Sequence, residues 1–279
     1  MSKMLIGIMV VAAAVMIFGL VKQKQGMAWG KPLATLAAVI ALICALSHIV
    51  TSGGPSTKSV MKTQMRYVEV STEKLGKYLA DKYPGTKAVV IVSPMAKLNQ
   101  ANNDALMAGL KRGLDGKVTI IAEVSPEPPK MPAMPGGPQG KSMPPGSEMM
   151  MMGPIEFWLT PEKFDAMLEP HLKGADLVIT TIGLPMDVGK LKFWQVKPQP
   201  PKMVIASGNI SNLAEAIKAG FVAAAVTFNP KATYDNQKPP SNLDEAFAKR
   251  YLLVTPETVE QTAKEFPNLF MGMMPPGGR

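Results

Sequence analysis

The sequence is poor in the residues that build many functional sites. Its 279 residues include one cysteine, Cys44, and two histidines. This excludes a disulfide framework and multi-cysteine metal motifs, and it leaves little for a histidine-rich zinc site. Charged residues make up only 18% of the chain and hydrophobic residues 47%, whereas roughly a quarter of a water-soluble protein is charged. The composition therefore indicates that part of the chain lies in lipid.

Acidic residues are absent from residues 1–67, which hold seven basic residues. The rest of the chain is nearly balanced, with 23 basic and 21 acidic residues. The formal net charge of +9 is therefore concentrated in the N-terminal part, and the body lacks the basic excess of a nucleic-acid-binding protein. We expect no nucleic-acid partner.

Two uncharged segments, 4–21 and 33–50, each contain 18 residues, about the length of a helix that spans a bilayer. The sequence therefore predicts a two-helix transmembrane hairpin as a membrane anchor over residues 1–50, with the lipid bilayer as its partner. Lys22, Lys24 and Lys31 lie in the link between the segments, which favours a cytoplasmic link and an extracytoplasmic body at a bacterial-type inner membrane. The raw count of basic residues on the two sides favours the reverse orientation.

Residues 51–86 predict a linker followed by a juxtamembrane helix over 58–83, which ends at Pro84 and Gly85. Residues 87–279 then alternate short apolar runs with amphipathic segments, the pattern of a mostly parallel, Rossmann-like α/β sheet with helices on both faces. The predicted strands are 88–93, 118–124, 175–181, 203–207, 221–228 and 251–254. The predicted helices are 98–114, 160–172, 212–219 and one that opens at Thr255-Pro256-Glu257.

Polar side chains follow several of these strands. Parallel α/β sheets bind ligands beyond the carboxyl ends of their strands. The predicted ligand-binding residues are therefore Ser93, Asn99, Asn102, Thr180, Thr181, Ser207, Asn209 and Asn229.

Three segments of this body carry a resemblance to a known family. Residues 88–124 form a strand, a helix that opens Asn-Gln-Ala-Asn-Asn-Asp-Ala-Leu, and a second strand. With 174–183 and 220–230, this pattern resembles type I periplasmic solute-binding proteins. The resemblance implies an extracytoplasmic domain for a small polar solute. That family has two lobes, and the roughly 200 residues after the linker correspond to one full lobe or two reduced ones.

A methionine- and proline-rich insert interrupts the pattern at 126–154, and a similar tail covers 271–279. Of the 29 residues in the insert, nine are proline, seven methionine and five glycine, which excludes a regular helix or central strand. Three interpretations stay open: a flexible exposed segment, an arm that contacts protein partners, and a Cu(I) site, since thioethers select that ion. The methionines of the last interpretation are Met131, Met134, Met143, Met149, Met150, Met151 and Met152.

Signatures of catalysis are scarce. The chain has no Gly-x-Gly-x-x-Gly after a strand and no Gly-x-Ser-x-Gly elbow. The only histidine of the body, His171, falls at a predicted helix end. We expect no catalytic residue, and no cofactor unless the methionines bind copper. The sequence favours a non-enzymatic, membrane-anchored subunit of a protein assembly; the alternatives are a tethered solute receptor and a Cu(I)-handling protein.

Overall fold

The computed structural model describes residues 15, 17, 18, 21, 22, 57–94, 100–127 and 155–271, with the side chains of 156 and 157 excepted. The chain divides into two units, Met1–Val60 and Met61–Arg279. In the first unit, residues 15, 17, 18, 21 and 22 are helical. The second unit contains the α/β body.

The body is built on one six-stranded sheet, as the sequence predicts. Its strand order is β2-β1-β3-β4-β5-β6. The first five strands are parallel, and β6 runs antiparallel to β5. The strands are β1 (Lys87–Ile91), β2 (Thr119–Val124), β3 (Leu177–Thr180), β4 (Lys202–Ile205), β5 (Val222–Phe228) and β6 (Tyr251–Val254).

Helices cover both faces of the sheet. The α-helices of the described residues from 57 onward are α1 (Thr57–Lys82), α2 (Gln100–Leu114), α3 (Ile155–Trp158), α4 (Pro161–Leu168), α5 (Ala214–Lys218), α6 (Leu243–Ala248) and α7 (Val259–Glu265). One core cluster packs α1, α2 and α6 on one face, and the other packs α4, α5 and α7 on the opposite face. The central strands are buried between them because their apolar runs are continuous.

Local sequence signals set several helix starts. Thr160 caps α4 through a hydrogen bond that its hydroxyl accepts from the amide of Lys163, and Pro161 takes the first helical position. Asn242 caps α6 in the same way, although that helix is not predicted from the sequence. The predicted helix start at Thr255 is wrong. Thr255 opens a hydrogen-bonded turn with Thr258, and α7 begins only at Val259.

Helix α1 runs antiparallel to β1. Its later part contacts the start of β5, where the Tyr78 hydroxyl donates to the carbonyl of Ala223 at 3.4 Å. Its earlier part contacts the residue before β6, where Arg250 Nη1 donates to Gln64 Oε1 at 2.6 Å. We call the side of the sheet where β1–β5 end the carboxyl edge, and the opposite side the amino edge. The first turns of α1 within the body therefore lie at the carboxyl edge.

The predicted membrane segments lie largely outside the described residues, as do Asn99, the tail from 272 and the part of the insert from 128 to 154. Within the residues that the structure describes, none of the helices is both long and apolar enough to cross a bilayer.

Candidate site at the carboxyl edge

The strand order creates a switch point between β1 and β3. From β1 the chain crosses to β2 on one side of the sheet, and from β3 it continues to β4 and β5 on the other side. The connections that leave β1 and β3 therefore diverge, and this is the position at which parallel α/β sheets bind ligands. Thr181 directly follows β3, and Ser93 is the second residue after β1.

Backbone hydrogen bonds hold the two strand ends together. The amide of Thr181 donates to the carbonyl of Ile91 at 3.0 Å and so joins the end of β3 to that of β1. On the other side, the amide of Val92 donates to the carbonyl of Val124 at 2.8 Å and joins the end of β1 to β2. Ser93 and Thr181 are both half-buried, and Ser93 makes a polar contact of its own. The site thus begins with two hydroxyl side chains at the ends of neighbouring strands.

The hydroxyl of Thr180 forms its hydrogen bonds within its own loop. Its side chain is fully buried, its hydroxyl donates to the carbonyl of Gly183 at 2.7 Å, and it accepts from the amide of Ile182 at 3.3 Å. These bonds fold the chain sharply after β3. We assign this hydroxyl to the shape of the loop, since a solute would have to displace both bonds to reach it.

The loops after β3 and β4 touch through glycine. Gly183 and Gly208 both have positive φ, 81° and 137°. A Cβ built on Gly208 would lie 2.5 Å from the Cα of Gly183, so side chains are excluded from this contact. The contact brings Ser207 and Asn209, both exposed, next to the loop that carries Thr181. Asn209 Oδ1 accepts from the amide and the hydroxyl of Ser211 at 2.8 and 2.6 Å, which fixes the turn that presents its amide group.

Two other predicted residues lie outside the contact between these loops. Asn102 is half-buried in the first turn of α2. Asn229 follows β5, three strands from β1, which is roughly 14 Å at the usual strand spacing. Its side chain accepts from the amide of Lys231 at 2.9 Å and donates to the carbonyl of Ala248 at 3.0 Å, so it joins β5 to the end of α6.

The predicted methionine ligands for Cu(I) all lie outside the described residues, and that site stays a prediction. Among the residues that the structure describes, no three His, Cys, Asp or Glu side chains are grouped to hold a metal ion. His171 is the last residue of a single-turn 3₁₀ helix (Glu169–His171) that continues α4.

A buried arginine at the same edge is not predicted from the sequence. Arg250 is 1% exposed, and its guanidinium carbon lies 3.5 Å from the centre of the Tyr67 ring. It donates to Gln64 Oε1 at 2.6 Å and to the carbonyl of Asp235 at 2.7 Å. A single arginine before a short strand gives no sequence signal of burial, because its partners come from α1 and from a distant loop.

A separate groove of about 470 Å³ lies between α1 and α6. Salt bridges of Lys74 with Asp244 at 2.6 Å and of Lys82 with Glu257 at 3.0 Å tie α1 to this side of the body. Hydrogen bonds from Thr255 and Lys82 lower the pKa of Glu257 to about 2. Burial, followed by the nearby charge of Glu257, raises the pKa of Tyr78 to about 12. Three lysines and two aspartates line the groove, so it lacks the strong excess of one charge that an ion site needs.

Similar solved structures include three proteins whose names refer to sugar transport or sugar binding. A periplasmic ribose ABC transporter protein from Conexibacter woesei is 12% identical, with 71% of this chain and 60% of that chain covered at a TM-score of 0.43. A sugar-binding protein of a sugar ABC transporter from Bacillus halodurans is 13% identical, with 71% and 64% covered at 0.39. AraP, an arabinose-binding protein from Geobacillus stearothermophilus, is 12% identical, with 71% and 63% covered at 0.39.

The predicted resemblance to periplasmic solute-binding proteins is confirmed by these similarities. This chain spans about three fifths of the length of those proteins. At such identities and TM-scores, the likeness does not transfer a ligand or an activity to this chain. No family model matches the sequence, and no curated protein matches it either.

Proposed function

We propose that this chain is a membrane-tethered binding domain for a small polar solute, held at the carboxyl edge beside the switch point. The observation that carries the proposal is the strand order, which puts Ser93 and Thr181 at the ends of two neighbouring strands whose connections diverge. Ser207 and Asn209 extend the same edge through the contact of Gly183 with Gly208.

The chemistry of these four side chains selects the class of solute. Three hydroxyls and one amide offer hydrogen-bond donors and acceptors without charge. A neutral solute rich in hydroxyl or amide groups fits this set better than an ion, because a buried charge needs a partner of opposite sign. We leave Thr180 out of the proposed site because its hydroxyl is fully buried within its own loop. We leave Asn229 out because it follows β5, three strands from β1.

The experiment is a thermal-shift and calorimetric screen of the detergent-solubilised full chain against neutral sugars, polyols and amides. Ribose and arabinose come first, as the sugars named in two of the proteins above. A solute that binds the folded state raises Tm with its concentration. The matched pair of variants is Thr181→Val, at the site, and Thr119→Val, an exposed threonine at the start of β2 on the amino edge.

We expect Thr181→Val to weaken binding by about tenfold or more, since an unmatched hydrogen bond in a binding site costs roughly 1–3 kcal/mol. Thr119→Val should bind as the wild type does. Equal binding by both variants would show that the solute sits elsewhere, and a screen in which no neutral solute binds would refute the receptor function.

The tether is part of the proposal. Segments 4–21 and 33–50 support it by length and lack of charge. In the described part of the first segment, Val15, Ile17, Phe18 and Val21 are exposed apolar side chains. We propose that the body lies on the extracytoplasmic side, because Lys22, Lys24 and Lys31 are close to the predicted spans. Labelling single engineered cysteines in the body with an impermeant reagent on intact cells tests this orientation.

A role as a subunit of a membrane assembly is the second candidate, and the composition of the insert favours it. Methionine adapts to irregular protein surfaces, and the insert has seven methionines among its 29 residues. Gentle detergent extraction followed by sizing and mass spectrometry separates the two functions. Defined protein partners together with a failed solute screen would favour the assembly, whereas a lone chain that binds a solute would favour the receptor.

A further inference from the structure

The far end of the carboxyl edge exposes two aromatic side chains. Phe228, at the end of β5, and Tyr234, in the loop that follows, are each 60% exposed. Their ring centres lie 6.3 Å apart, and Phe228 also stacks on Tyr251 at 5.7 Å. We call Phe228 and Tyr234 the aromatic patch. It is firmly supported from below, because Tyr251 packs in turn on the buried Phe247 at 5.7 Å.

The aromatic patch is fixed to the first turns of α1 within the body. Arg250 lies between two rings, 3.5 Å from the centre of Tyr67 on α1 and 5.5 Å from the centre of Tyr234. The same guanidinium bonds Gln64 on α1 and the carbonyl of Asp235 next to Tyr234. The loop of the patch and the start of α1 are therefore held as one surface.

Basic residues outnumber acidic residues around this surface. The segments that carry it hold the basic residues Lys62, Arg66, Lys231, Lys238, Lys249 and Arg250 and the acidic residues Glu69, Asp235 and Glu265. Each acidic side chain forms an ion pair with a basic one: Glu69 with Arg66, Asp235 with Lys249, and Glu265 with Lys231. Lys62, Lys231 and Lys238 are exposed. Lysine next to aromatic rings is the composition that proteins place at the boundary between lipid and water.

We propose that the aromatic patch docks on the headgroup layer of an anionic bilayer, so that the carboxyl edge faces the membrane at its β5 end. The inference rests on the tether of the proposed function. Ten residues, 51–60, separate the predicted second span from Met61, which limits the distance between them to roughly 40 Å even when the chain is fully extended. The first turns of α1, and with them the patch, therefore stay within reach of the lipid surface. The switch point lies three strands away, so docking leaves it open to solutes.

The test uses the full chain in lipid nanodiscs of phosphatidylethanolamine and phosphatidylglycerol that carry a headgroup quencher. In a Cys44→Ser background, one fluorophore is attached through Thr233→Cys, beside the patch, and another through Lys173→Cys, in the loop before β3 at the amino edge. Both positions are exposed. We expect several-fold stronger quenching at 233 than at 173.

Two further sets of substitutions test whether the aromatic patch and the basic residues around it cause the docking. In the 233-labelled chain, Phe228→Ser with Tyr234→Ser should reduce quenching to the level of position 173. Changing Lys62 and Lys238 to Gln should lower the ratio of docked to undocked protein roughly fivefold per lysine. Nanodiscs of neutral phosphatidylcholine should weaken docking in the same way.

Several outcomes would overturn the proposal: equal quenching at the two positions, quenching that survives loss of both aromatic rings, or a chain that does not insert into nanodiscs. Protection of position 233 in native membranes but not in nanodiscs would assign the patch to a protein partner instead. The solute screen runs in detergent without any bilayer, so failure of docking and failure of the receptor function are seen separately.

Discussion

A methyl group added at Gly76 has no room between α1 and α2. Its Cβ would lie 2.8 Å from the carbonyl oxygen of Leu110, 2.8 Å from the amide nitrogen of Leu114 and 2.9 Å from the carbonyl carbon of Gly113. All three atoms belong to the backbone of α2, so no flexible side chain can move aside. The two helices would have to separate, and we predict that Gly76→Ala destabilises the body.

The size of the effect follows from the gap. Ordinary contact begins at 3.4 Å, so the helices must move apart by about 0.6 Å, which forfeits roughly a quarter of the dispersion attraction along their contact. Overpacking of this kind costs up to about 3 kcal/mol. Alanine recovers about 1 kcal/mol because it favours the helix more than glycine does. The net loss is about 2 kcal/mol, or a Tm lower by about 4–8 °C for a domain of this size.

Urea and thermal unfolding of the detergent-solubilised full chain measure this loss. Gly189→Ala is the matched control, because nothing lies within 4 Å of its Cβ position, and its stability should stay within about 0.5 kcal/mol of the wild type. Gly113→Ala should cost more than Gly76→Ala, since its Cβ would lie 2.9 Å from the Cα of Gly76 and closer still to the carbonyl oxygen of Glu73. If Gly76→Ala were as stable as the control, the backbone contact between the helices would be refuted.

Three further predictions concern the edges of the body. Glu257 has its pKa lowered to about 2 from an ordinary 4.5, so it stabilises the fold above pH 4.5 and loses this contribution as the pH falls towards 2. Glu257→Gln should therefore lower the urea midpoint at pH 7 and reduce its fall between pH 5 and about 2; an unchanged acid profile would contradict this. Gly208→Ala, with its Cβ 2.5 Å from Gly183 Cα at a φ of 137°, should cost about 3 kcal/mol in thermal unfolding, and wild-type stability would disprove the close approach. Arg250→Met should cost about 3 kcal/mol by leaving its acceptors unmatched, and Arg250→Lys should not restore stability because lysine lacks the planar fork; full rescue by lysine would mean that charge alone matters.

The central strands are predictable from the sequence because strands that are buried on both faces consist of continuous apolar runs. Residues 221–228 are predicted as a strand, and β5 covers Val222–Phe228. The four residues of β3 are buried on both faces and lie inside the predicted 175–181. Helix α1 agrees with its prediction to within one residue at each end. The hydrophobic pattern and the length of a segment are enough to predict a strand when both faces of that strand are buried.

Other features depend on contacts that no local pattern encodes. Helix α6 has six residues, too few to show helical periodicity, and its start depends on the cap at Asn242. Thr255-Pro256-Glu257 has the same composition as Thr160-Pro161-Glu162, where a helix does begin. At Thr255, however, both the amide and the hydroxyl contact the hydroxyl of Thr258. In the candidate site, the strand ends are predictable, but only the fold separates Thr181 at the switch point from Thr180, whose hydroxyl is sealed inside its loop.

The length and packing of α1 have a mechanical consequence. From Met61 to Lys82 the helix is roughly 33 Å long, it lies along one face of the body, and it is joined there by backbone contacts at Gly76 and by ion pairs near its end. A force applied at its first turns acts parallel to this contact, so many interactions share the load as shear and none is opened singly. The force needed to unfold the body should therefore be far higher when it is applied through the tether than when it is applied perpendicular to the helix axis, for example at β6.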